Sequence, residues 1–371
     1  MQDFSAAESV IDAKDAAEYA GLTYVTDERP GISRKRLGKG FRYANAGGGR
    51  IGDDVTLNRI AALAIPPAWT NVWICPSANG HIQATGRDLR GRKQYRYHSK
   101  FREIREGTKY HHMLSFAKSL PTIRSRVRNH LALPGLPQQK VLATIVHLLE
   151  TTLIRVGSDE YARTNNSYGL TTLKSRHVDI AGSTLRFKFK GKSGRIWNLS
   201  VRDRRVAAVV RACQDLPGQE LFQYVDGREK NRDITSSDVN AYLREISGGK
   251  AITAKDFRTW HGTVLAALAL QEFEKFDSQA GAKRNVRDAI QKVAARLGNT
   301  PTICRKCYIH PEIVTTYIEG ALLLEVKEKV EAELREDLAE LRPEEAAVLT
   351  HLQSRLSFSL KDKLKASLKA A

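Results

Sequence analysis

The sequence predicts an α+β protein with a β-rich N-terminal domain over residues 1–98 and a mainly helical domain over residues 99–320. Short apolar runs separated by turn-forming residues dominate the first hundred positions. Apolar residues then recur with the 3.6-residue period of helices. After Gly320 the composition shifts to Ala, Leu, Glu and Lys, which predicts a helical extension over residues 321–371 in one or two helices that break at Pro343.

The balance of charges points to a polyanionic partner. The 371 residues include 60 Lys and Arg against 41 Asp and Glu, a formal net charge of +19. Basic side chains that neutralise phosphates release counterions, so this excess is typical of nucleic-acid-binding proteins. No stretch approaches the roughly 20 apolar residues that span a bilayer, and residues 1–20 carry acidic groups without an apolar run. We therefore expect a cytoplasmic protein with no membrane partner.

The cysteines do not predict a disulfide framework or a metal site. Four cysteines are too few for such a framework in a chain of this length. Cys304 and Cys307 form a C-x-x-C pair with His310 nearby, but the other half of a zinc site is missing. The sequence therefore predicts no metal and no cofactor.

Two elements of the first domain can be placed. The runs NVWICP and HIQAT flank Asn79-Gly80, the dipeptide preferred in tight hairpin turns, and so predict a β-hairpin. One helix is predicted from Val55 to Leu63, with Asp53 or Asp54 as its cap.

A basic and aromatic segment follows, from Gly86 to Tyr110. It holds nine Lys or Arg, with Tyr95 and Tyr97 between them. Basic residues that alternate with aromatic ones suit contacts with a phosphate backbone and the sugars or bases beside it. A solvated charged surface is the alternative interpretation.

Helical periodicity marks most of the second domain. The predicted helices lie around Val141–Leu149, at Val206–Cys213, at Val239–Ile246 after the capping residues Ser236 and Ser237, at Phe257–Phe273, and at Val286–Leu297, which Gly298 ends. One β-hairpin interrupts the series, since LRFKFK alternates apolar and basic residues and IWNL returns after Gly194. Lys192 lies at the tip of this hairpin.

The sequence offers few patterns for catalysis on phosphate. No carboxylate arrangement suits a two-metal nuclease, and no complete Walker loop supports ATP binding. The chemistry would then rest on cations and a protein nucleophile. The candidates are Arg155, Lys192, Arg258, Asn299 and Tyr308. Taken singly, each is more typical of a structural role: Arg155 and Arg258 of ion pairs, Lys192 of a solvated turn, Asn299 of a helix cap and Tyr308 of a packing position.

Taken together, these five residues and their surroundings resemble the type IB DNA topoisomerases of poxviruses and bacteria. The matching sequence motifs are IRVGSDEYA, FKGKSG, TAKDFRTW, LGNTP and the CRKCYIHP segment that contains Tyr308. In the N-terminal third, PGISRKRLGKGFRY, IPPAWTNVWICP and GHIQATGRDLRGRKQYRYH resemble the DNA-clamping domain of that family. The resemblance covers roughly residues 20–320. Asn299 departs from it, because many members have His there; Asn can donate a hydrogen bond but cannot carry a charge.

The resemblance implies the fold shared by tyrosine recombinases and type IB topoisomerases, and the relaxation of supercoiled duplex DNA without ATP or metal. Tyr308 would attack a DNA phosphorus and form a 3′-phosphotyrosyl intermediate, so that the strand can swivel and be resealed. Arg155, Arg258 and Asn299 would stabilise the transition-state charge. Lys192 would protonate the departing 5′-oxygen.

The resemblance also implies the partner. We expect a monomer that clamps duplex DNA, preferably supercoiled, in association with the nucleoid. The expected DNA contacts are Arg90, Arg92, Gln94, Tyr95, Tyr97 and Lys255.

Two other functions remain open at this point. A tyrosine recombinase shares the catalytic residues but usually has H-x-x-R before the second arginine, where this chain has Lys255. A non-catalytic architectural DNA-binding protein would also explain the charge and the basic and aromatic segment.

Overall fold

The computed structural model describes residues 13–38, 40–226, 228, 230–273, 276, 278–322 and 341–355. The chain forms two units, residues 1–112 and residues 113–371. The boundaries predicted at residues 98 and 320 stay predictions. Among these described ranges, no helix is long and apolar enough to cross a membrane.

The first unit is built on a five-stranded antiparallel sheet. Its strands are β1 (Ile32–Leu37), β2 (Gly40–Ala44), β3 (Thr70–Ile74), β4 (Ile82–Arg87) and β5 (Lys93–Tyr97), in the spatial order β2-β1-β3-β4-β5. The unit also contains helices α1 (Ala13–Tyr19) and α2 (Asp54–Ala62). Burial of apolar side chains from three strands and α2 stabilises the sheet; this core is Ile32, Ile60, Val72, Ile74 and Ala84.

The predicted helix and the predicted β-hairpin of this unit are both present, but the turn of the hairpin differs from the prediction. Helix α2 begins after Asp53, whose carboxylate accepts a hydrogen bond from the Thr56 amide at 2.8 Å. Helix α1 was not predicted, because seven residues give too short a periodic signal. Strands β3 and β4 do form a hairpin, but the tight Asn-Gly turn is wrong. The His81 amide donates to the Thr23 carbonyl, so Asn79 and Gly80 belong to a longer connection that pairs with the N-terminal segment.

The second unit is mainly helical. Helix α3 (Ser99–Leu131) begins in the first unit and ends in the second. It is followed by α4 (Gln138–Thr152), α5 (Asp159–Asn165), α6 (Arg204–Gln214), α7 (Ser236–Ile246), α8 (Ala254–Gln271), α9 (Gln279–Leu297), α10 (Pro301–Tyr308) and α11 (Pro311–Ile318). Residues 343–355 are also helical, so Pro343 begins this helix. The segment predicted as helical before Pro343 lies largely outside the described residues.

The predicted hairpin is present, but it is part of a larger sheet. Strands β7 (Thr184–Lys190) and β8 (Ile196–Arg202) pair antiparallel, and β6 (Val178–Ala181) adds a third strand. Strands β9 (Gln223–Val225) and β10 (Asn231–Asp233) form a second antiparallel pair. The prediction of a single hairpin was therefore wrong, because strands of three or four residues give little alternation in the sequence.

The helix ends agree with the prediction at α9 and differ at α7. Gly298 ends α9 in the left-handed conformation at φ +66°, and its amide donates to the Ala294 and Ala295 carbonyls. Helix α7 is capped by Thr235, one residue before the predicted Ser236, because Thr235 and Asp238 form a reciprocal capping box.

A buried ion cluster joins the helix of residues 343–355 to the rest of the second unit. Arg124 on α3 donates from two nitrogens to Glu345 at 2.8 Å and from Nε to Glu150 on α4 at 2.8 Å. His261 on α8 lies beside both carboxylates, with candidate ligand atoms of the three residues within 4.8 Å of one another. Because the Arg124 guanidinium already binds both carboxylates, this group is a structural ion cluster.

Candidate active site

Helix α8 lies at the centre of the second unit and holds Arg258 in its buried first turns. The helix packs against α4, α7, α9, α10 and α11, and most of its residues are buried. Arg258 itself is only 3% exposed. It can be buried there because its guanidinium donates to the Leu153 carbonyl after α4 and, at 2.6 Å, to the Leu297 carbonyl at the end of α9.

The electrostatics of Arg258 are unusual for a structural arginine. Burial, and then the charge of Arg155, lower the pKa of Arg258 to about 10. Two of its guanidinium nitrogens donate to backbone carbonyls, and its Nε atom is buried without a hydrogen-bond partner among the described residues. The cation is therefore fixed in place without an anionic side chain to balance it.

Tyr308 is the last residue of α10 and faces Arg258. The Arg258 guanidinium carbon lies 5.2 Å from the centre of the Tyr308 ring. The Thr263 hydroxyl contacts the Tyr308 carbonyl at 3.3 Å and accepts from the His310 amide at 3.0 Å. Gly262 allows the close approach, since a Cβ at that position would lie 2.7 Å from the Tyr308 carbonyl oxygen. The main chain of Tyr308 is thus held against α8.

The same surroundings change the acidity of the phenol. Burial raises the pKa of Tyr308, but the positive charges of Arg258, Arg155 and Lys255 lower it by more. The pKa of Tyr308 therefore lies below the ordinary value of about 10 for tyrosine. A lower pKa increases the fraction of phenolate, which is the nucleophilic form.

Asn299 and Arg155 are paired with each other. Arg155 follows the left-handed residue Leu153 that ends α4, and Asn299 follows Gly298 at the end of α9. The Arg155 guanidinium donates to the Asn299 side-chain oxygen. The Asn299 amide nitrogen is buried and has no hydrogen-bond partner in the described part of the chain. The pair therefore contains one neutral donor whose hydrogen-bonding capacity the described residues do not use.

Lys192 lies on the turn between β7 and β8, as predicted. A short 3₁₀ turn spans Lys192–Gly194, and the Lys192 ammonium lies 5.2 Å from the centre of the Tyr161 ring. The turn is attached to α9, because Arg195 donates to the Ala295 carbonyl at 2.6 Å. The hairpin tip and the helix end that precedes Asn299 are therefore directly connected.

These elements enclose a cavity of about 250 Å³. Four cationic side chains line it together with the Tyr308 phenol, and the lining among the described residues contains no carboxylate. The lining residues are Arg155, Val156, Gly157, Ser158, Tyr161, Ser167, Tyr168, Lys192, Ala254, Lys255, Arg258 and Tyr308. Such a cavity is suited to an oxyanion, because fixed cations stabilise negative charge most where water is excluded.

Four of the five catalytic candidates line this cavity, and Asn299 joins them through Arg155. Lys255, expected as a DNA contact, also lines it. Sequence reasoning did not single out Ser158, Tyr161 or Tyr168. Ser158 and Tyr161 lie within the IRVGSDEYA motif that contains Arg155. Their position in that motif was the sequence signal that could have identified them.

The other expected DNA contacts lie in the first unit, along β5 and the turn before it. The Asp88 carboxylate organises this turn, since it accepts from the Arg90 amide at 2.9 Å and from the Gln94 side chain at 3.0 Å, and pairs with Arg92 at 2.7 Å. Tyr95 and Tyr97 stack with ring centres 5.8 Å apart and are 42% and 37% exposed. These residues are grouped on β5, an edge strand of the sheet, and on the turn that precedes it.

Comparisons with known proteins agree with this architecture. Residues 98–337 match the family described as the catalytic core of eukaryotic DNA topoisomerase I, and residues 40–88 match the N-terminal domain of bacterial DNA topoisomerase IB. DNA topoisomerase 1B of Acanthamoeba polyphaga mimivirus is 33% identical over 286 residues, which cover 75% of this chain and 85% of the viral protein. DNA topoisomerase 1B of vaccinia virus strain Copenhagen and DNA topoisomerase I of monkeypox virus are 21% and 25% identical over 233 residues, 62% of this chain and 70% of each viral protein.

Proposed function

The chain belongs to the type IB DNA topoisomerases, and we propose that Tyr308 is the nucleophile with which it cleaves and reseals one strand of duplex DNA. The observation that carries this assignment is a tyrosine of lowered pKa in a cavity of four cations without a carboxylate. An oxyanion such as a phosphodiester is the ligand that this combination of charges favours.

Cleavage exchanges one phosphoester bond for another. The Tyr308 oxygen bonds to the phosphorus, the bond to the 5′-oxygen breaks, and the strand is held through a 3′-phosphotyrosyl ester. Because the new ester conserves the energy of the broken bond, the 5′-hydroxyl can reverse the reaction without ATP once the strand has swivelled.

Each neighbouring side chain has a distinct role in this step. Arg155 and Arg258 are proposed to bind the non-bridging oxygens, where charge increases in the transition state. The unpartnered amide nitrogen of Asn299 supports a third, neutral donor to the same oxygens. Lys192, on an exposed turn at the cavity, is proposed to protonate the departing 5′-oxygen.

The two domains are proposed to have different roles toward the DNA partner. Residues 1–98 would contact the duplex, through Arg90, Arg92, Gln94, Tyr95 and Tyr97, while residues 99–320 would carry catalysis with Lys255 as a further DNA contact. The exposed tyrosines and the basic turn on β5 support this surface. We further propose a monomer that clamps DNA, prefers supercoiled substrate and acts in the cytoplasm at the nucleoid.

Relaxation of supercoiled plasmid in EDTA without ATP tests the proposal when wild type and Tyr308→Phe are compared. We expect the Phe variant to lose relaxation and keep its affinity for DNA, because only the nucleophilic oxygen is removed. Denaturant added to the wild-type reaction should trap DNA on a peptide that contains Tyr308. An adduct on another residue would overturn the assignment of Tyr308. If wild-type protein left the linking number of the plasmid unchanged, an architectural DNA-binding protein would be favoured. If cleavage required paired specific sites, a recombinase would be favoured.

The role of Lys192 can be separated from that of Arg258. Without its general acid, Lys192→Ala should cleave roughly 10²- to 10⁴-fold more slowly. A substrate with sulfur at the 5′-bridging position needs no proton to release its leaving group, so it should restore most of the rate to Lys192→Ala but not to Arg258→Ala. Equal rescue of both variants, or rescue of neither, would contradict the division of roles.

A further inference from the structure

Two thiols lie in the helix that ends at Tyr308. Cys304 is on the second turn of α10 and fully buried, and Cys307 immediately precedes Tyr308 and is partly exposed. Neither has a place in the cleavage step proposed above. Arg258 is close enough for its charge to act on the Cys304 thiol, so this thiol lies beside the cationic side of the site.

Their spacing brings the two sulfurs within reach of each other. Residues three apart on a helix are neighbours on one face, with Cβ atoms about 5–6 Å apart. A disulfide needs Cβ atoms about 3.5–4.5 Å apart. The Cα atoms of residues i and i+3 in an α-helix are about 5 Å apart, within the roughly 4.4–6.8 Å range of disulfides, so a shift of about 1–2 Å at the end of α10 brings the two Cβ atoms together. This change is feasible because Cys307 and Tyr308 are the last two residues of the helix.

We propose that Cys304 and Cys307 are a redox-active pair, and that their oxidation to a disulfide by a peroxide reversibly switches off Tyr308. This inference rests on the assignment of Tyr308 as the nucleophile.

The chemistry balances in two steps. The peroxide transfers one oxygen to the Cys307 sulfur, which becomes a sulfenic acid, and the reduced peroxide leaves as water or an alcohol. The Cys304 thiol then attacks that sulfur, the S–S bond forms, and the hydroxyl leaves with the thiol proton as a second molecule of water. Partial exposure makes Cys307 the first target, whereas burial raises the pKa of Cys304 to about 11 and makes it the slower, resolving thiol.

The disulfide acts on the site through the position of the phenol. Moving Cys307 toward Cys304 by about 1–2 Å also moves the adjacent Tyr308, which lies at the end of the altered turn. Its carbonyl is already in close contact with Gly262, so the main chain cannot move toward α8 to compensate. The phenol then leaves its place beside Arg258. Misplacement by about 1 Å can cost a factor of 10² in rate.

The experiment compares the reduced protein with protein treated with hydrogen peroxide. We expect a loss of two hydrogens on the peptide that contains Cys304 and Cys307, and formation of the Tyr308–DNA adduct about 10²-fold slower. Dithiothreitol should restore both. Cys307→Ser should keep the activity of the reduced protein and resist peroxide, whereas Cys213→Ser, which removes a buried thiol on α6, should remain sensitive.

The remaining outcomes would overturn either the redox switch or the assignment of Tyr308 as the nucleophile. An unchanged rate in protein that carries the Cys304–Cys307 disulfide, or the absence of that disulfide after treatment, would overturn the redox switch. Equal sensitivity of Cys307→Ser would place the damage elsewhere and overturn it as well. Failure of the reduced wild type to form an adduct at Tyr308 would instead overturn the assignment of the nucleophile.

Discussion

Arg258 and Arg124 are two largely buried arginines of the same unit with opposite surroundings. The Arg124 guanidinium binds two carboxylates, Glu150 and Glu345, at 2.7 and 2.8 Å. Arg258 donates to two backbone carbonyls, and no carboxylate lines its cavity among the described residues. Burial lowers the pKa of both arginines. At Arg124 the two carboxylates raise the pKa by more, so it lies above the ordinary value for arginine. At Arg258 the pKa falls to about 10.

Arg124 therefore has its counter-charge within the fold, whereas Arg258 has no carboxylate partner among the described residues. Burying a charge is costly unless a partner compensates it. At Arg124 the protein supplies the partner itself, so the charge contributes to folding. At Arg258 the carbonyl dipoles of two helix ends hold the cation, and in the proposed mechanism a DNA phosphate supplies the compensating negative charge.

The largest expected effect is on stability, from Arg124→Met. This change leaves two buried carboxylates beside each other without their shared cation, so it should lower the free energy of unfolding by about 3–5 kcal/mol. Urea unfolding measures the loss, with Arg126→Met, an exposed position on the same helix, as control. A loss no larger than that of the control would mean that Arg124 has no greater role in the fold than a surface arginine.

The matched pair Arg258→Lys and Arg124→Lys should separate activity from stability. Lysine keeps the charge and loses the bidentate fork, so Arg258→Lys should slow adduct formation by about 10²- to 10³-fold. Arg124→Lys should cleave DNA at nearly the wild-type rate and show the larger drop in unfolding midpoint. If both variants lost activity and stability in the same proportion, the two arginines would not differ as proposed.

A smaller effect is expected from the pH dependence of Glu345. Burial raises the pKa of Glu345, but Arg124 lowers it by more, so it is below its ordinary value. A carboxyl whose folded pKa is lowered stabilises fully above its unfolded pKa of about 4.3, and this stability is lost as the pH falls through the folded pKa. The difference in unfolding free energy between wild type and Glu345→Gln should therefore shrink as the pH is lowered from about 7 to about 3. A difference that stays constant with pH would contradict the ion pair.

Much of this organisation was predictable from the sequence. Alternation in LRFKFK located β7, and Gly298 marked the end of α9, because these signals are local. The catalytic candidates were predicted because whole sequence motifs resemble those of type IB topoisomerases. Arg155 or Tyr308 alone is also typical of ion pairing or packing. The structure brings four of them to one cavity, and their roles stay predictions.

The rest depends on contacts that a sequence does not encode locally. Arg124 and Glu345 are 221 positions apart, and nothing in either segment indicates the other. The carbonyls that hold Arg258 come from residues after α4 and at the end of α9, so they are apparent only once both helices are placed. The prediction of a tight turn at Asn79-Gly80 was wrong for a similar reason. The hydrogen bond from the His81 amide to the Thr23 carbonyl outweighed the local preference of Asn-Gly for a tight turn.

The helix of residues 343–355 has a practical consequence for recombinant protein production. The match to the topoisomerase I catalytic core ends at residue 337, which invites expression of a shortened protein. That protein would lack Glu345 and the buried side chains of Val348, Leu349 and Leu352, so the apolar surface that they cover would face water. Exposed apolar patches of this kind promote aggregation. An expression boundary placed after residue 355 keeps this surface covered.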